Sequence, residues 1–223
     1  MTADPPDPGA APSSPLGAPA SSPSGAPGLS PLFERAVADV RGTLFRDDLA
    51  VREIPAPQGL APEAIALSGD VRQQDHDADS PYGTGRLILL HDPSEPPAWQ
   101  GPLRIVCFAQ APLETDIGID PMLADVTWSW LVDALDSRHA RYGAASGTAT
   151  KILSKGFGGL EDEGDGAQIE LRASWSPESG DLTAHIEAWA ELLCMLAGLP
   201  PGSENIELLA AHRFAANDRV ARD

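Results

Sequence analysis

The stretch Asp120–Arg141, DPMLADVTWSWLVDALDSRHAR, decides the fold because it predicts a long helix that separates three predicted strands from two others. Asp120 and Pro121 have the residue types of a helix N-cap and a first helical position. A carboxylate accepts hydrogen bonds from the free amides of a first turn, and proline has no amide to leave unpaired. We therefore predict that this helix begins at Asp120.

This helix is apolar on two faces rather than one. The first apolar face is formed by Leu123, Val126, Trp130 and Ala134. The second is formed by Trp128, Leu131, Val132 and Leu135. A surface helix usually needs an apolar stripe of roughly 100°, and this one is apolar over about twice that width. The pattern indicates either a helix held between a sheet and a neighbouring helix, or a helix that binds a partner through Trp128, Val132 and Leu135.

Residues 1–28 differ in composition from the rest of the chain. They are almost entirely Pro, Ala, Ser and Gly, with one large aliphatic residue, Leu16, and no aromatic residue. Such a segment buries too little apolar surface to offset the entropy of ordering it, so we predict a disordered tail. The remaining length of about 190 residues fits one domain. We place this domain at residues 29–201, followed by an extension at 202–223 that is a short helix or loose.

The charge of the chain restricts its partners. The net charge is −18, and only two acidic residues lie in the tail, so the domain itself is strongly acidic. A negative surface repels phosphate backbones and favours basic or apolar partner segments, which argues against nucleic acid. No stretch approaches the ~18 apolar residues of a membrane span, and no signal peptide is recognisable. We therefore expect a cytoplasmic protein that does not bind membranes.

Five strands and three helices are predicted. The helices are Ser30–Phe45, the central helix, and Gly180–Leu196, capped by Ser179. The strands are Ile65–Arg72, Arg86–His91, Leu103–Ala111, Tyr142–Lys155 and Gln168–Trp175. The second and third strands are apolar on both faces, so we expect both faces to be at least partly covered. Tyr142–Lys155 is rich in threonine and is expected at a sheet edge, and Arg46–Pro62 is expected to be an extended connection.

Short links without crossover helices favour antiparallel pairing between these strands. We therefore predict an α+β domain with a mainly antiparallel sheet of about five strands and three helices. The predicted order of elements is α-β-β-β-α-β-β-α.

Known catalytic and metal-binding motifs are not recognisable in the sequence. The acidic loop at 75–80 resembles the start of a calcium loop, but Ser80 and Arg86 replace the glycine and glutamate that the loop requires. The histidines lack metal-ligand spacing, and phosphate-loop and nucleophile motifs are missing. His91 precedes Asp92-Pro93 at a strand end, where an oriented base or a simple turn is expected. We predict no catalytic, metal or cofactor site, which favours a protein that is not an enzyme. Cys107 and Cys194 are predicted to be reduced, buried thiols.

Four arginines come from four of the five predicted strands. They are Arg72, Arg86, Arg104 and Arg172. If several of them share one face of the sheet, they form a surface able to bind a carboxylate or phosphate group. The alternative is local pairing with Glu170 and other acids across the strands. Strand registers cannot be read from the sequence, so both interpretations stay open.

Three stretches resemble a known family. They are TGRLILLHDP, WSWLVDALD and RASWSPESGDLTAHIEAWAELLCMLAGLPP. Together they resemble the actinobacterial family catalogued as domain of unknown function 3000, over roughly residues 32–201. The resemblance implies a cytoplasmic bacterial protein, and it implies no activity, cofactor or site residue. The order of elements is also similar to that of type III secretion chaperones, which dimerise through their middle helix and bind extended client segments.

These observations favour a non-enzymatic, chaperone-like or adaptor module. We expect it to bind a protein partner, or a second copy of itself as a homodimer, through the central helix and an adjacent sheet edge. The alternative function is a small-molecule-binding or enzyme domain that holds an anionic ligand with the arginines over the sheet.

Overall fold

The structure is a computed structural model that describes residues 29–72, 82–178 and 180–199. The predicted tail at 1–28, the acidic loop at 75–80, the predicted cap at Ser179 and the extension at 202–223 lie outside the described residues. The helices are α1 (Pro31–Gly42), α2 (Thr115–Gly118), α3 (Leu123–Ser137) and α4 (Thr183–Leu196). The strands are β1 (Leu49–Ile54), β2 (Glu63–Val71), β3 (Gly83–His91), β4 (Leu103–Leu113), β5 (Tyr142–Lys155) and β6 (Asp165–Pro177).

The six strands form one antiparallel sheet in the order β1-β2-β3-β4-β6-β5. After β4 the chain passes through α2 and α3, runs outward as β5, and returns as β6 between β4 and β5. A 3-10 helix at Gly158–Glu163 lies in the connection between β5 and β6. The α+β class and antiparallel pairing are as predicted, and β5 lies at an edge of the sheet.

The structure corrects the element count. The segment Arg46–Pro62, predicted as a connection, contains β1, which pairs with β2 as the other edge strand. Its residues Leu49 and Val51 lie on one face of the strand, but Pro55 follows so closely that the alternation is short. The short helix α2 was also not predicted.

The central helix α3 begins at Leu123 rather than at Asp120. The side chain of Asp120 accepts a hydrogen bond from the Met122 amide at 2.8 Å, so the Asp-Pro pair forms a turn before the helix. Such Asx turns use the same residue types as helix N-caps, which explains the error in the predicted start.

All four helices pack on one face of the sheet, with α4 in the centre. The close approach of α4 depends on glycines in β2 and β3. A Cβ atom on Gly69 would lie 2.9 Å from both Trp189 and Leu193, and one on Gly85 would overlap with Leu193. The two large side chains of α4 therefore occupy the space that these glycines leave open.

The helix α3 lies against both α4 and β5. Its buried residues are Leu123, Thr127, Leu131, Ala134 and Leu135. This stripe runs between the two predicted faces. Val126 is therefore exposed and Trp130 is half-buried, and these two residues do not face the core. Since sheet and neighbouring helix both contact α3, the wide apolar surface is used largely within the chain.

The opposite face of the sheet carries no helix from the described part of the chain, and we call it the open face. Its residues include Arg86 and Ile88 of β3, Arg104, Val106 and Phe108 of β4, and Arg172 and Ser174 of β6. Leu90 is buried there, Ile88 is half-buried and Arg86 is exposed. The central strands are therefore covered completely on the helix side and partly on the open face.

Candidate functional site

Three of the four predicted arginines share the open face. In the register of the sheet, Phe108 is directly opposite Arg86 on one side and Arg172 on the other. Arg104 lies on the same face of β4, because it is an even number of residues from Phe108. Arg72 lies one residue beyond the end of β2 and is outside the ladder. The sheet thus groups Arg86, Arg104 and Arg172 and leaves Arg72 apart.

The three arginines differ in their partners. Arg172 Nε donates to Glu170 Oε1 at 2.7 Å, and the guanidinium carbon lies 5.8 Å from the centre of the Phe108 ring. Local pairing, the alternative considered above, therefore describes Arg172. Arg86 is exposed and makes no hydrogen bond or ion pair within the described residues.

Arg104 is buried, with 8% of its surface exposed, and its guanidinium binds only neutral oxygens within the described chain. It donates to Ser174 Oγ at 2.6 Å, the Ala144 carbonyl oxygen at 2.9 Å, Ser176 Oγ at 3.1 Å and Ser146 Oγ at 3.4 Å. Burial lowers the pKa of the Arg104 guanidinium from its usual value. These contacts hold the outer strand β5 at its bulge, between Gly143 and Ser146, but they supply no negative charge.

An open depression of about 420 Å³ lies beside these hydroxyl groups. It is lined by Val106, Ser146, Gly147, Thr148, Arg172, Ala173 and Ser174. Ligand pockets in proteins typically measure about 300–1,000 Å³, so the depression is large enough for a small molecule.

A second candidate surface lies at the end of the sheet where α2 contacts β5 and β6. Large apolar side chains are exposed there, and we call them the end patch: Ile117, Ile119, Met122, Val126 and Leu153. A Cβ atom on Gly118 would lie 3.1 Å from Leu153 Cδ2, which shows how closely α2 lies over β5. The Lys151 ammonium donates to the Asp120 carbonyl oxygen at 2.7 Å, and this bond ties β5 to the turn that follows α2. The end patch is therefore a surface shared by α2, α3 and β5.

The predicted interface on α3 is placed differently from expectation. Leu135 is 1% exposed and belongs to the core, so it is not available to a partner. Trp128 and Val132 are half-buried. A Cβ atom on Gly147 would lie 2.7 Å from Trp128 Cζ3, so the Trp128 ring packs on β5. The end patch was missed, although Ile117 and Ile119 in a short link between a strand and a helix are an unusual choice of residues for a loop.

A partly buried cluster of Ser30, Glu63 and His91 has the residue types of a catalytic triad but not its geometry. Ser30 Oγ donates to Glu63 Oε2 at 2.8 Å and accepts from the Phe33 amide at 3.2 Å. His91 Nδ1 contacts both Ser30 Oγ and Glu63 Oε2, so serine and acid meet the same ring nitrogen rather than opposite ones. The His91 ring also stacks on Phe33, with ring centres 6.0 Å apart.

The electrostatics of this cluster fit a structural role. Burial alone raises the pKa of the Glu63 carboxyl, but hydrogen bonds from the Ser30 amide and hydroxyl and from His91 outweigh it, so the net pKa is lowered. The cluster thus fixes the N-terminus of α1 to the ends of β2 and β3.

Other sites are limited within the described residues. Those residues contain no group of three or more His, Cys, Asp or Glu side chains arranged to hold a metal ion. Cys107 and Cys194 are buried free thiols, and burial raises the pKa of Cys107 to about 12. None of the described helices has the length and apolar character needed to cross a membrane.

Comparison with known proteins gives one match. A family model described as "Protein of unknown function (DUF3000)" matches residues 29–206, which include every described helix and strand. No curated protein and no solved structure matches the chain. The family description names no activity, so a proposal about function depends on the open face and the end patch.

Proposed function

The chain belongs to this family of proteins of unknown function, DUF3000, and we propose that it is a non-enzymatic, cytoplasmic protein-binding module. In this proposal β5 and the end patch bind an extended segment of a partner protein that is both basic and apolar. Buried free thiols are typical of proteins from reducing compartments, which supports the cytoplasm.

The exposed apolar surface of the end patch is the observation that carries the proposal. Ile119 is 60% exposed and Leu153 is 56% exposed, and both lie among further apolar residues of the patch. Single exposed apolar side chains are ordinary on protein surfaces, whereas a contiguous group commonly marks an interaction site. Phe157 and Leu160 extend the exposed apolar surface into the connection after β5.

The free edge of β5 supplies the second part of a binding surface. β5 pairs only with β6, and no other strand of the described chain borders its outer edge. An extended peptide that adds to such an edge gains backbone hydrogen bonds, while its side chains enter neighbouring pockets. The bulge between Gly143 and Ser146 interrupts one end of the strand, so regular pairing is expected from Ser146 to Lys155.

The charge around the end patch favours a basic partner. Exposed acidic residues lie in α2, in the turn before α3, in α3 and in the connection after β5, and they are Asp116, Asp120, Asp125 and Glu161. Together with the net charge of −18, they attract lysine and arginine and repel a second copy of the chain. We therefore assign the surface to a different protein rather than to a homodimer.

Selection from a random peptide display library on the immobilised protein tests this proposal. We expect enrichment of sequences that combine alternating apolar residues with lysine or arginine. Binding of the enriched peptides should fall by about tenfold or more in Ile119→Glu and Leu153→Glu, because each change places a charge in a desolvated contact.

The matched control is Leu44→Glu, which changes an equally apolar residue that is 91% exposed and lies in the link between α1 and β1. This variant should bind the peptides as the parent does. The proposal is wrong if no basic and apolar motif is enriched, or if all three variants bind equally. Thermal unfolding of each variant confirms that the substitutions leave the fold intact.

A further inference from the structure

We propose that the open face carries a separate anion-binding site at the Arg104–Ser174 cluster. The site takes the carboxylate or phosphate group of a small organic anion, whose apolar part rests on Val106 and Phe108. This site is independent of the end patch, and its ligand class differs from that of the proposed protein partner.

Arg104 carries a positive charge that none of its hydrogen-bond partners in the described chain compensates. Buried charges are normally paired with an opposite charge, because removing an ion from water is costly. Arg104 is buried, yet its four hydrogen bonds go to one carbonyl and three hydroxyl oxygens. The positive charge is therefore available to attract an anion placed above the serines.

Two of the hydroxyl groups that bind Arg104 can themselves donate hydrogen bonds. Ser174 Oγ and Ser146 Oγ each accept a hydrogen bond from the Arg104 guanidinium. A hydroxyl that accepts from a cation keeps its own proton for donation elsewhere. The two oxygens are 3.4 Å apart, so at most one of the protons is used between them. Both serines line the depression, and at least one O–H group is free to donate into it.

Further hydrogen-bond donors line the depression beside the serines. Arg172 and Thr148 are directly paired in the register of β6 and β5, and both line the depression. Glu170 occupies Arg172 Nε, whereas the guanidinium has five N–H donors in total. Two nitrogens of Arg172 are thus left for a bidentate contact with a carboxylate or phosphate.

The size and surroundings of the site restrict the ligand. The depression has about 420 Å³ of space, the apolar Val106 lines it, and the Phe108 ring lies beside the lining residue Arg172. The net charge of −18 repels polyanions at long range, so a nucleic acid is disfavoured. The short-range contacts therefore favour a small monoanion or dianion that carries an apolar group.

Calorimetric titration of the whole chain with benzoate, phenyl phosphate and the neutral analogue benzyl alcohol tests the site. We expect saturable binding of at least one anion and none of benzyl alcohol. Which anion binds more tightly distinguishes a carboxylate site from a phosphate site. Ser174→Ala and Arg172→Gln should each weaken binding by about tenfold, because each removes hydrogen bonds to a charged group.

The matched control is Arg52→Gln, since Arg52 is on the open face but pairs with Asp70 and lies outside the depression. Binding should be unchanged in this variant and in Leu153→Glu, which separates the anion site from the end patch. Absence of saturable binding by either anion overturns the inference. It is also overturned if Arg52→Gln weakens binding as much as Ser174→Ala does, since binding would then follow total charge.

Discussion

His185 is a buried titratable residue with an incomplete set of hydrogen bonds. Its Nδ1 accepts from Trp175 Nε1 at 3.1 Å, while its Nε2 has no partner in the described structure. Accepting at Nδ1 requires the neutral ring with its proton on Nε2. Burial lowers the pKa of His185 to about 4, against the opposing effect of Asp181.

This shift predicts a pH-dependent stability. The unfolded chain binds a proton at His185 below about pH 6.5, whereas the folded chain resists protonation until about pH 4. The contribution of neutral His185 to the free energy of unfolding is therefore fully present above pH 6.5. It decreases as the pH falls from 6.5 to 4, by about 3 kcal/mol in total. Urea unfolding measured at half-unit pH steps should show this loss.

The variant His185→Asn keeps an acceptor for Trp175 but does not titrate, so its pH dependence should lack that component. His139→Asn, at an exposed position with positive φ that asparagine tolerates, is the control and should retain the parent slope. Equal slopes in the parent and in His185→Asn would show that other groups cause the loss.

At the same scale, the alternation of the arginines on the strands was readable from the sequence, and three of the four share a face of the sheet. Their different contacts were not predicted. The contacts of Arg104 depend on the insertion of β6 between β4 and β5, which brings Ser174 and Ser146 to it. That non-local pairing leaves no local signal, so the serines could not be predicted.

The packing of α4 on the sheet is the central contact between elements. Gly85 lies under Leu193, and a Cβ atom there would overlap with the Leu193 side chain and lie 2.9 Å from the Phe108 carbonyl oxygen. We therefore predict that Gly85→Ala lowers the free energy of unfolding by about 1–3 kcal/mol, as overpacking does in dense cores. Denaturant titration measures the change.

Gly42→Ala is the matched control for this prediction. Gly42 is the last residue of α1, and nothing lies within 4 Å of a Cβ atom built on it. Alanine favours a helix over glycine, so this variant should be neutral or gain up to about 1 kcal/mol. A Gly85→Ala variant as stable as the parent would show that α4 can move away from the sheet without cost.

Elements with strong periodicity were predictable, and short ones were not. The alternation of residues 168–175 predicted a strand, and these residues lie in β6. The threonine-rich composition of residues 142–155 predicted a sheet edge, and β5 lies at an edge. β1 was missed because six residues before a proline show too few repeats of a period of two. Propensity also favoured a helix start at Asp120. Instead, the bond from the Met122 amide to the Asp120 side chain and the bond from Lys151 to the Asp120 carbonyl oxygen hold a turn there.

At the scale of the whole molecule, a two-layer arrangement leaves part of the sheet uncovered. Helices cover one face of the sheet, so the open face and the outer edges of β1 and β5 are uncovered in the described structure. Antiparallel sheets commonly pair one buried face with one solvated face, whereas the apolar residues on both faces of two central strands had predicted at least partial cover on both sides. Which side the helices occupy, and where the end patch forms, depends on the path from β4 through α2 to β5.

The expected oligomeric state depends on the placement of the Trp128 ring. A homodimer through α3 requires the Trp128 ring to be free, but the ring packs on Gly147 of β5. We therefore expect light scattering to give the monomer mass of 23.4 kDa in the absence of a partner. Trp128→Glu should lower the free energy of unfolding by about 2 kcal/mol or more without changing that mass, because it removes a half-buried aromatic contact.

Ile119→Glu is the comparison, since it alters the exposed end patch and should change neither the mass nor the stability. A mass near twice the monomer value that Trp128→Glu reduces to 23.4 kDa would instead assign the interface to α3. A dimer that Ile119→Glu dissociates would keep the end patch as the binding surface and make a second copy its occupant. The two variants thus distinguish a partner-binding module from a homodimer, because Trp128 and Ile119 lie on different surfaces of the same fold.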